Sequence, residues 1–61
     1  MKIGTTFDAT NKLGEKYRYT LIALNPAEPM REYILWNETR DHKTEVEAEW
    51  FNQREIKEVV K

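Results

Sequence analysis

The segment Thr44 to Lys57, TEVEAEWFNQREIK, decides the fold, because its hydrophobic period changes in the middle. Apolar and polar residues alternate at first, the alternation breaks at the adjacent pair Trp50-Phe51, and it resumes towards the end of the segment. A strand that enters a tight aromatic turn and then continues as a closing strand is typical of small β-barrels. The segment therefore predicts a short helical or 3₁₀ turn over 48–53 and a last strand over 55–60.

A continuous C-terminal helix is the alternative interpretation of the same residues. Thr44 to Glu47 matches a capping box, and Glu, Gln, Arg, Lys and Ala favour helices. On a helical wheel, however, the apolar side chains spread around the whole cylinder instead of forming one stripe. These apolar residues are Val46, Trp50, Phe51, Ile56, Val59 and Val60. The wheel favours the turn and strand; the helix would instead give an antiparallel β-meander with a helix on one face.

The rest of the chain alternates with strand period between turn-forming segments. Strands are predicted over 3–10, 16–24, 30–38 and 44–47. The turns between them are Asn11–Glu15, Asn25–Pro29 and Thr39–Lys43, which hold Gly14 and both prolines. The alternation in the second strand changes phase near Thr20, which predicts a bend or a bulge there. With the last strand, the pattern predicts a mainly β chain of five strands.

Composition predicts one small domain over 1–61 that needs no cofactor and no metal. The chain has no cysteine, one histidine and a formal net charge of -1. Disulfide and thiolate metal sites are therefore excluded, and neither a basic nucleic-acid tail nor a polyanion is present. The longest apolar run, Leu21 to Leu24, is too short to span a membrane, so we expect no membrane association and a cytoplasmic location.

No group of residues in the sequence indicates catalysis. Serine and cysteine are both absent, and no glycine-rich phosphate loop occurs. Asp41 and His42 form the only pair that resembles an acid/base unit, but adjacent residues in a hairpin loop rarely converge on one substrate. We therefore expect a protein that is not an enzyme.

The five strands, the long second strand and the short turn before the last strand resemble an SH3-like small β-barrel. The opening Met1 to Phe7 and the closing pattern Val46, Trp50-Phe51 and Ile56 also resemble small proteins encoded by prophages and other mobile elements of Gram-positive bacteria. The resemblance implies a binding module that modulates a host or phage protein. The Ala-Leu-Tyr-Asp-Tyr run of signalling SH3 domains is absent, so proline-peptide recognition is not implied.

Two Phe, two Trp and three Tyr are more aromatic residues than a core this small needs. Because Tyr, Trp and Arg are enriched where proteins bind each other, we predict a partner-binding face formed by Arg18, Tyr19, Tyr33 and Trp36. The expected partner is another protein, and the chain itself is expected to be a monomer or a small homo-oligomer. The alternative function is nucleic-acid binding, in which the same aromatics stack on bases beside basic residues.

Overall fold

The computed structural model of the protein describes residues 1–60, which form one five-stranded antiparallel sheet. The strands are β1 Thr6–Thr10, β2 Lys16–Leu24, β3 Tyr33–Asn37, β4 His42–Val46 and β5 Glu55–Glu58. A 3₁₀ turn, Pro29–Arg31, precedes β3, and a short helix, α1 Ala48–Asn52, precedes β5. The order across the sheet is β4-β3-β2-β1-β5, so the last strand lies beside the first. The prediction of a mainly β protein with five strands is confirmed.

The C-terminal segment forms a turn and a strand, so the alternative of a continuous helix is wrong. The short helix α1 ends at Asn52; the backbone N–H of Gln53, which follows it, donates to the Glu49 carbonyl at 3.2 Å, and that of Arg54 donates to the Phe51 carbonyl at 3.3 Å. Strand β5 then pairs antiparallel with β1, with Ile56 opposite Ala9. This register brings Ile56 against the core, whereas a helix would have spread the apolar side chains around its circumference.

Two predicted strands begin later than their alternation suggests. Strand β1 starts at Thr6, because Gly4 with φ +96° reverses the chain and the Thr5 N–H donates to the Lys2 carbonyl at 3.0 Å. Strand β3 starts at Tyr33, because Pro29 opens a 3₁₀ turn. Proline is tolerated in the first turn of a helix, where its missing N–H leaves no bond unmade.

The predicted irregularity in β2 is a shift in the pairing with β3. Leu21 pairs with Leu35, whereas Ala23 pairs with Ile34, so Ile22 occupies the extra position of a bulge. The bulge falls two residues beyond Thr20, where the phase change of the sequence had placed it. Such a bulge bends the strand and changes which of the residues at its end face the core.

The core lies on one face of the sheet, under the short helix α1. Its buried residues are Phe7, Ala9, Tyr19, Leu21, Leu35 and Val46. Trp50 and Phe51 pack on this core from α1, with ring centroids 6.3 Å and 5.7 Å from the Phe7 ring. Both residues of the pair thus contact the core. Burial of these aromatics stabilises a chain that has few other large apolar groups to bury.

Candidate functional site

The four residues predicted to form one partner-binding face lie on opposite faces of the sheet. Tyr19 and Tyr33 lie on the core face, where Tyr19 is 7% exposed and Tyr33 packs edge-on against Phe51 at 4.9 Å. Arg18 and Trp36 lie on the opposite, outer face. Adjacent residues of a strand point to opposite faces, so Arg18 and Tyr19 cannot share one surface.

Tyr19 is a core residue in this fold. Its ring stacks on Phe7 at 5.7 Å and meets Trp50 edge-on at 5.1 Å. Burial raises the pKa of its hydroxyl, an effect that the nearby guanidinium groups of Arg54 and Arg40 partly offset. Its aromatic surface is therefore used within the domain.

The outer face places Arg18 and Trp36 near each other. Trp36 pairs with Thr20 across β2 and β3, and Arg18 lies two residues before Thr20 on the same face of β2. Arg18 and Trp36 are thus diagonal neighbours, a separation that long side chains can bridge. On the side towards β1, the hydroxyl of Thr20 forms a hydrogen bond of 3.0 Å with the hydroxyl of Thr6.

Apolar side chains continue from Trp36 along the outer face. Ile34 lies two residues before Trp36 on β3, and Ile22 lies at the bulge beside the partner of Ile34, with 43% of its surface exposed. None of the three belongs to the buried core. We call Ile22, Ile34 and Trp36 the outer apolar patch.

Arg18 is held in place beside this patch by Asp8 of the neighbouring strand. The Arg18 Nε donates to Asp8 Oδ1 at 2.9 Å and the second guanidinium nitrogen donates to Oδ2 at 3.3 Å. The hydrogen bond from Arg18 lowers the pKa of the Asp8 carboxyl, and the same bond raises the pKa of Arg18. This bidentate contact fixes the orientation of the guanidinium and neutralises much of its charge.

A second group of arginines and aromatics lies at one end of the core face. The Arg40 guanidinium lies 5.2 Å from the centre of the Tyr17 ring and donates to the Tyr17 hydroxyl at 3.1 Å. The Arg54 guanidinium lies 4.3 Å from the centre of the Trp50 ring. Tyr19 lies between the two pairs, since its ring contacts Trp50 and both arginines influence its pKa. We call Tyr17, Tyr19, Arg40, Trp50 and Arg54 the arginine–aromatic cluster.

The loop between β3 and β4 places Arg40 over Tyr17. The side chain of Asn37, only 3% exposed, accepts a hydrogen bond from the Arg40 backbone N–H at 2.9 Å. Asp41 then adopts φ +57°, and its N–H donates to the Asn37 carbonyl at 2.7 Å. A buried asparagine thus sets the shape of the loop and the position of the arginine that follows it.

Sequence reasoning did not find this cluster as a unit. The spacing of Trp50 and Arg54, four residues apart, is one available signal, since a helical turn brings such residues onto one side. Tyr17 and Arg40 are 23 residues apart and meet only through the pairing of β2 with β3. That pairing could not be deduced from either residue alone.

Neither a metal centre nor a membrane-spanning helix is present in the described part of the chain. Within residues 1–60, no three His, Cys, Asp or Glu side chains are grouped so that they could hold a metal ion. The same residues contain no helix with the length and apolar character needed to cross a bilayer.

No protein-family model, curated protein or solved structure matches the chain.

Proposed function

We propose that the protein is a small non-catalytic binding module that contacts another protein through the outer apolar patch and Arg18. The observation that favours this most is the position of Trp36 on the outer face, outside the core cluster and beside an arginine with a fixed direction. Tryptophan and arginine are both enriched at the energetic centres of protein interfaces.

We further propose that the sheet curls into an SH3-like barrel. The strand order brings β5 beside β1, the bulge in the nine-residue β2 supplies a bend, and α1 lies directly before the last strand. The dimensions of 31 × 25 × 20 Å are those of a compact particle. In such a barrel the outer apolar patch would lie on the convex surface, where a partner could reach it without opening the core.

The resemblance to small proteins of prophages and mobile elements suggests the kind of partner. A module of this type would modulate a host or phage protein, in the cytoplasm. A second copy of the chain is the other protein that the patch could contact, which would make the protein a small homo-oligomer.

The charges around the outer apolar patch favour a protein over a nucleic acid as its partner. Arg18 is already paired with Asp8, and Lys43, which pairs with Trp36 in the sheet, contacts Glu45 at 3.6 Å. A protein gains free energy on binding a nucleic acid when its cationic side chains neutralise phosphates and release their counterions. Cations that are already paired with carboxylates contribute less to this release. Here the cations beside Trp36 are neutralised within the domain.

The test is affinity capture from the source-cell lysate with immobilised wild-type protein, Trp36→Ala and Met30→Ala. Met30 is 76% exposed and lies in the 3₁₀ turn before β3, outside the outer apolar patch, so its substitution is a matched control for loss of exposed apolar surface. We expect one protein to be retained by the wild type and by Met30→Ala, and lost with Trp36→Ala, at NaCl concentrations of about 0.15 M and about 0.5 M.

Thermal melts followed by circular dichroism measure the stability of each variant. If the variants are folded, a difference in the amount of captured protein arises from binding. Trp36→Ala should cost about 1 kcal/mol of stability or less, because this side chain lies outside the core. Capture that does not depend on Trp36, or capture of nucleic acid that disappears at the higher salt concentration, would contradict the proposed function. Sedimentation of the wild type at micromolar concentration reports whether the patch binds a second copy.

A further inference from the structure

Two cationic side chains, Lys12 and Arg54, lie together at the end of the domain that holds the arginine–aromatic cluster. A cleft beside the cluster runs between the loop that follows β1 and the end of α1, and one cluster member, Arg54, lines it. The lining residues are Asn11, Lys12, Leu13, Gln53 and Arg54. None of them is acidic, in a chain where acids outnumber Lys and Arg by 11 to 10.

The two arginines of the cluster are held by uncharged partners. Arg54 donates to the Trp50 carbonyl at 3.1 Å, and Arg40 donates to the Tyr17 hydroxyl. The ion pairs within residues 1–60 involve Arg18, Arg31 and Lys43, so neither cluster arginine has a carboxylate within 4.0 Å in this part of the chain. Each guanidinium therefore keeps most of its five N–H donors for a ligand. The Glu15 carboxylate, which accepts a hydrogen bond from the same Tyr17 hydroxyl, offsets part of the charge of Arg40.

Stacking prepares these guanidinium groups for recognition of an oxyanion. Contact with the rings of Tyr17 and Trp50 limits the rotation of each side chain, so that less conformational entropy is lost on binding. A guanidinium is also weakly hydrated, and its planar fork matches the two oxygens of a carboxylate. The buried side chain of Asn37 adds to this order by fixing the backbone at Arg40.

We propose that this end of the domain is a second binding site, which takes the carboxylate groups of an acidic peptide segment between Arg40, Arg54 and Lys12. The exposed side chain of Leu13 lies on the rim of the same cleft and offers a contact for an apolar residue next to the acidic ones. The ligand class is thus a peptide in which acidic and apolar residues are neighbours. The site shares no residue with the outer apolar patch.

The packing of the aromatic rings favours a peptide over a single-stranded nucleic acid at this site. Bases bind to such surfaces by stacking on open aromatic faces. The Trp50 ring has Arg54 over it and packs against Tyr19 and Phe51, with centroid distances of 5.1 Å and 5.0 Å.

The experiment is a titration of ¹⁵N-labelled protein with a capped hexapeptide of alternating glutamate and leucine, at low salt and neutral pH. The readout is the Nε–H signals of the arginine side chains, which report contact with a carboxylate directly. We expect saturable shifts at Arg40 and Arg54, and no saturable shift with the matched peptide of alternating glutamine and leucine. Arg40→Gln and Arg54→Gln should each weaken binding about tenfold, as expected for loss of a hydrogen bond to a charged group.

Arg31→Gln is the matched control, because Arg31 is also exposed but lies at the 3₁₀ turn, where it contacts Glu45 at 3.9 Å. This variant should bind the glutamate peptide as the wild type does. Dispersed backbone spectra verify folding, and if Arg54→Gln unfolds, Arg40→Gln decides the question alone. Equal binding of both peptides, unchanged affinity of the arginine variants, or tighter binding of an oligothymidylate at the same signals would overturn the proposal. Trp36→Ala should leave peptide binding unchanged, which separates this test from that of the outer apolar patch.

Discussion

The guanidinium of Arg54 lies 4.3 Å above the ring of Trp50 and donates a hydrogen bond to the Trp50 backbone carbonyl at 3.1 Å. One side chain thus covers a core aromatic and also satisfies a carbonyl at the end of α1, where helices leave carbonyls without intrahelical partners. Trp50 in turn packs against Phe7 and Tyr19, and β5 begins at the residue that follows Arg54. The stability of the domain and the geometry of the proposed peptide site therefore depend on the same residue pair.

Trp50→Ala should cost about 3 kcal/mol, because it removes the ring that packs on Phe7, Tyr19 and Phe51. A domain of this size has a total stability of roughly 3–9 kcal/mol, so a large unfolded fraction is expected. Urea unfolding followed by circular dichroism measures the loss. Met30→Ala, at a residue that is 76% exposed, is the control and should stay within about 0.5 kcal/mol of the wild type. Equal midpoints for the two variants would show that Trp50 does not close the core.

Asp41→Val should destabilise the protein by about 1–2 kcal/mol, because Asp41 has φ +57° and a β-branched residue is strained in that region. Asp41→Gly should be close to neutral, since glycine adopts positive φ freely. Thermal melts of the two variants give the comparison. If valine and glycine had the same effect, the left-handed conformation at this position would not contribute to stability.

The stability of the protein should fall in acid partly through Asp8, whose pKa is lowered from 3.8 by the hydrogen bond from Arg18. A carboxyl with a lower pKa in the folded state stabilises the protein above its unfolded pKa, and this contribution is lost as the pH falls through the folded value. Asp8→Asn should therefore flatten the dependence of Tm on pH below about pH 4. Glu28→Gln, at an exposed position, serves as the control. A wild-type acid slope in Asp8→Asn would contradict the stabilising role of the pair.

In alkali, stability should decline through Tyr19, whose pKa burial raises above 10.0. A group with a raised folded pKa contributes stability that is complete below its unfolded pKa and is lost as the pH rises through the folded value. Tyr19→Phe should remove this part of the decline above about pH 10. Urea midpoints measured at pH values on either side of 10, together with tyrosinate absorbance, check it. An unchanged alkaline slope in Tyr19→Phe would show that the hydroxyl of Tyr19 is not buried in the folded state.

Local patterns in the sequence predicted most of the strands and the turn before the last one. Alternation with β-branched and aromatic residues located β2 at its observed limits, and the break at Trp50-Phe51 located α1. The starts of β1 and β3 were less predictable, because Gly4 and Pro29 each place a turn inside a segment that alternates like a strand. In those segments the backbone conformation that one residue requires outweighs the hydrophobic pattern.

The predicted binding face was harder to obtain, because residue type says little about the direction of a side chain. Arg18, Tyr19, Tyr33 and Trp36 have the composition of an interface, yet the pleat divides them between the core face and the outer face. The proposed peptide site was not predicted as a unit. Tyr19 was predicted on the binding face, whereas its ring lies in the core, and the arginines that lie over Tyr17 and Trp50 come from a loop and from the end of α1.

By itself, the sequence determined the class of the protein: a small mainly β domain with a turn at the aromatic pair of 44–57, since period and turn chemistry are local properties of a chain. Only the tertiary structure decided the order of the strands, the position of the bulge at Ile22 and the face on which each aromatic lies. These features depend on pairing between distant strands, because a shift of one residue in register moves every side chain to the other face. The contacts of Arg40 with Tyr17 and of Arg54 with Trp50 follow from that pairing and from the turn at the end of α1.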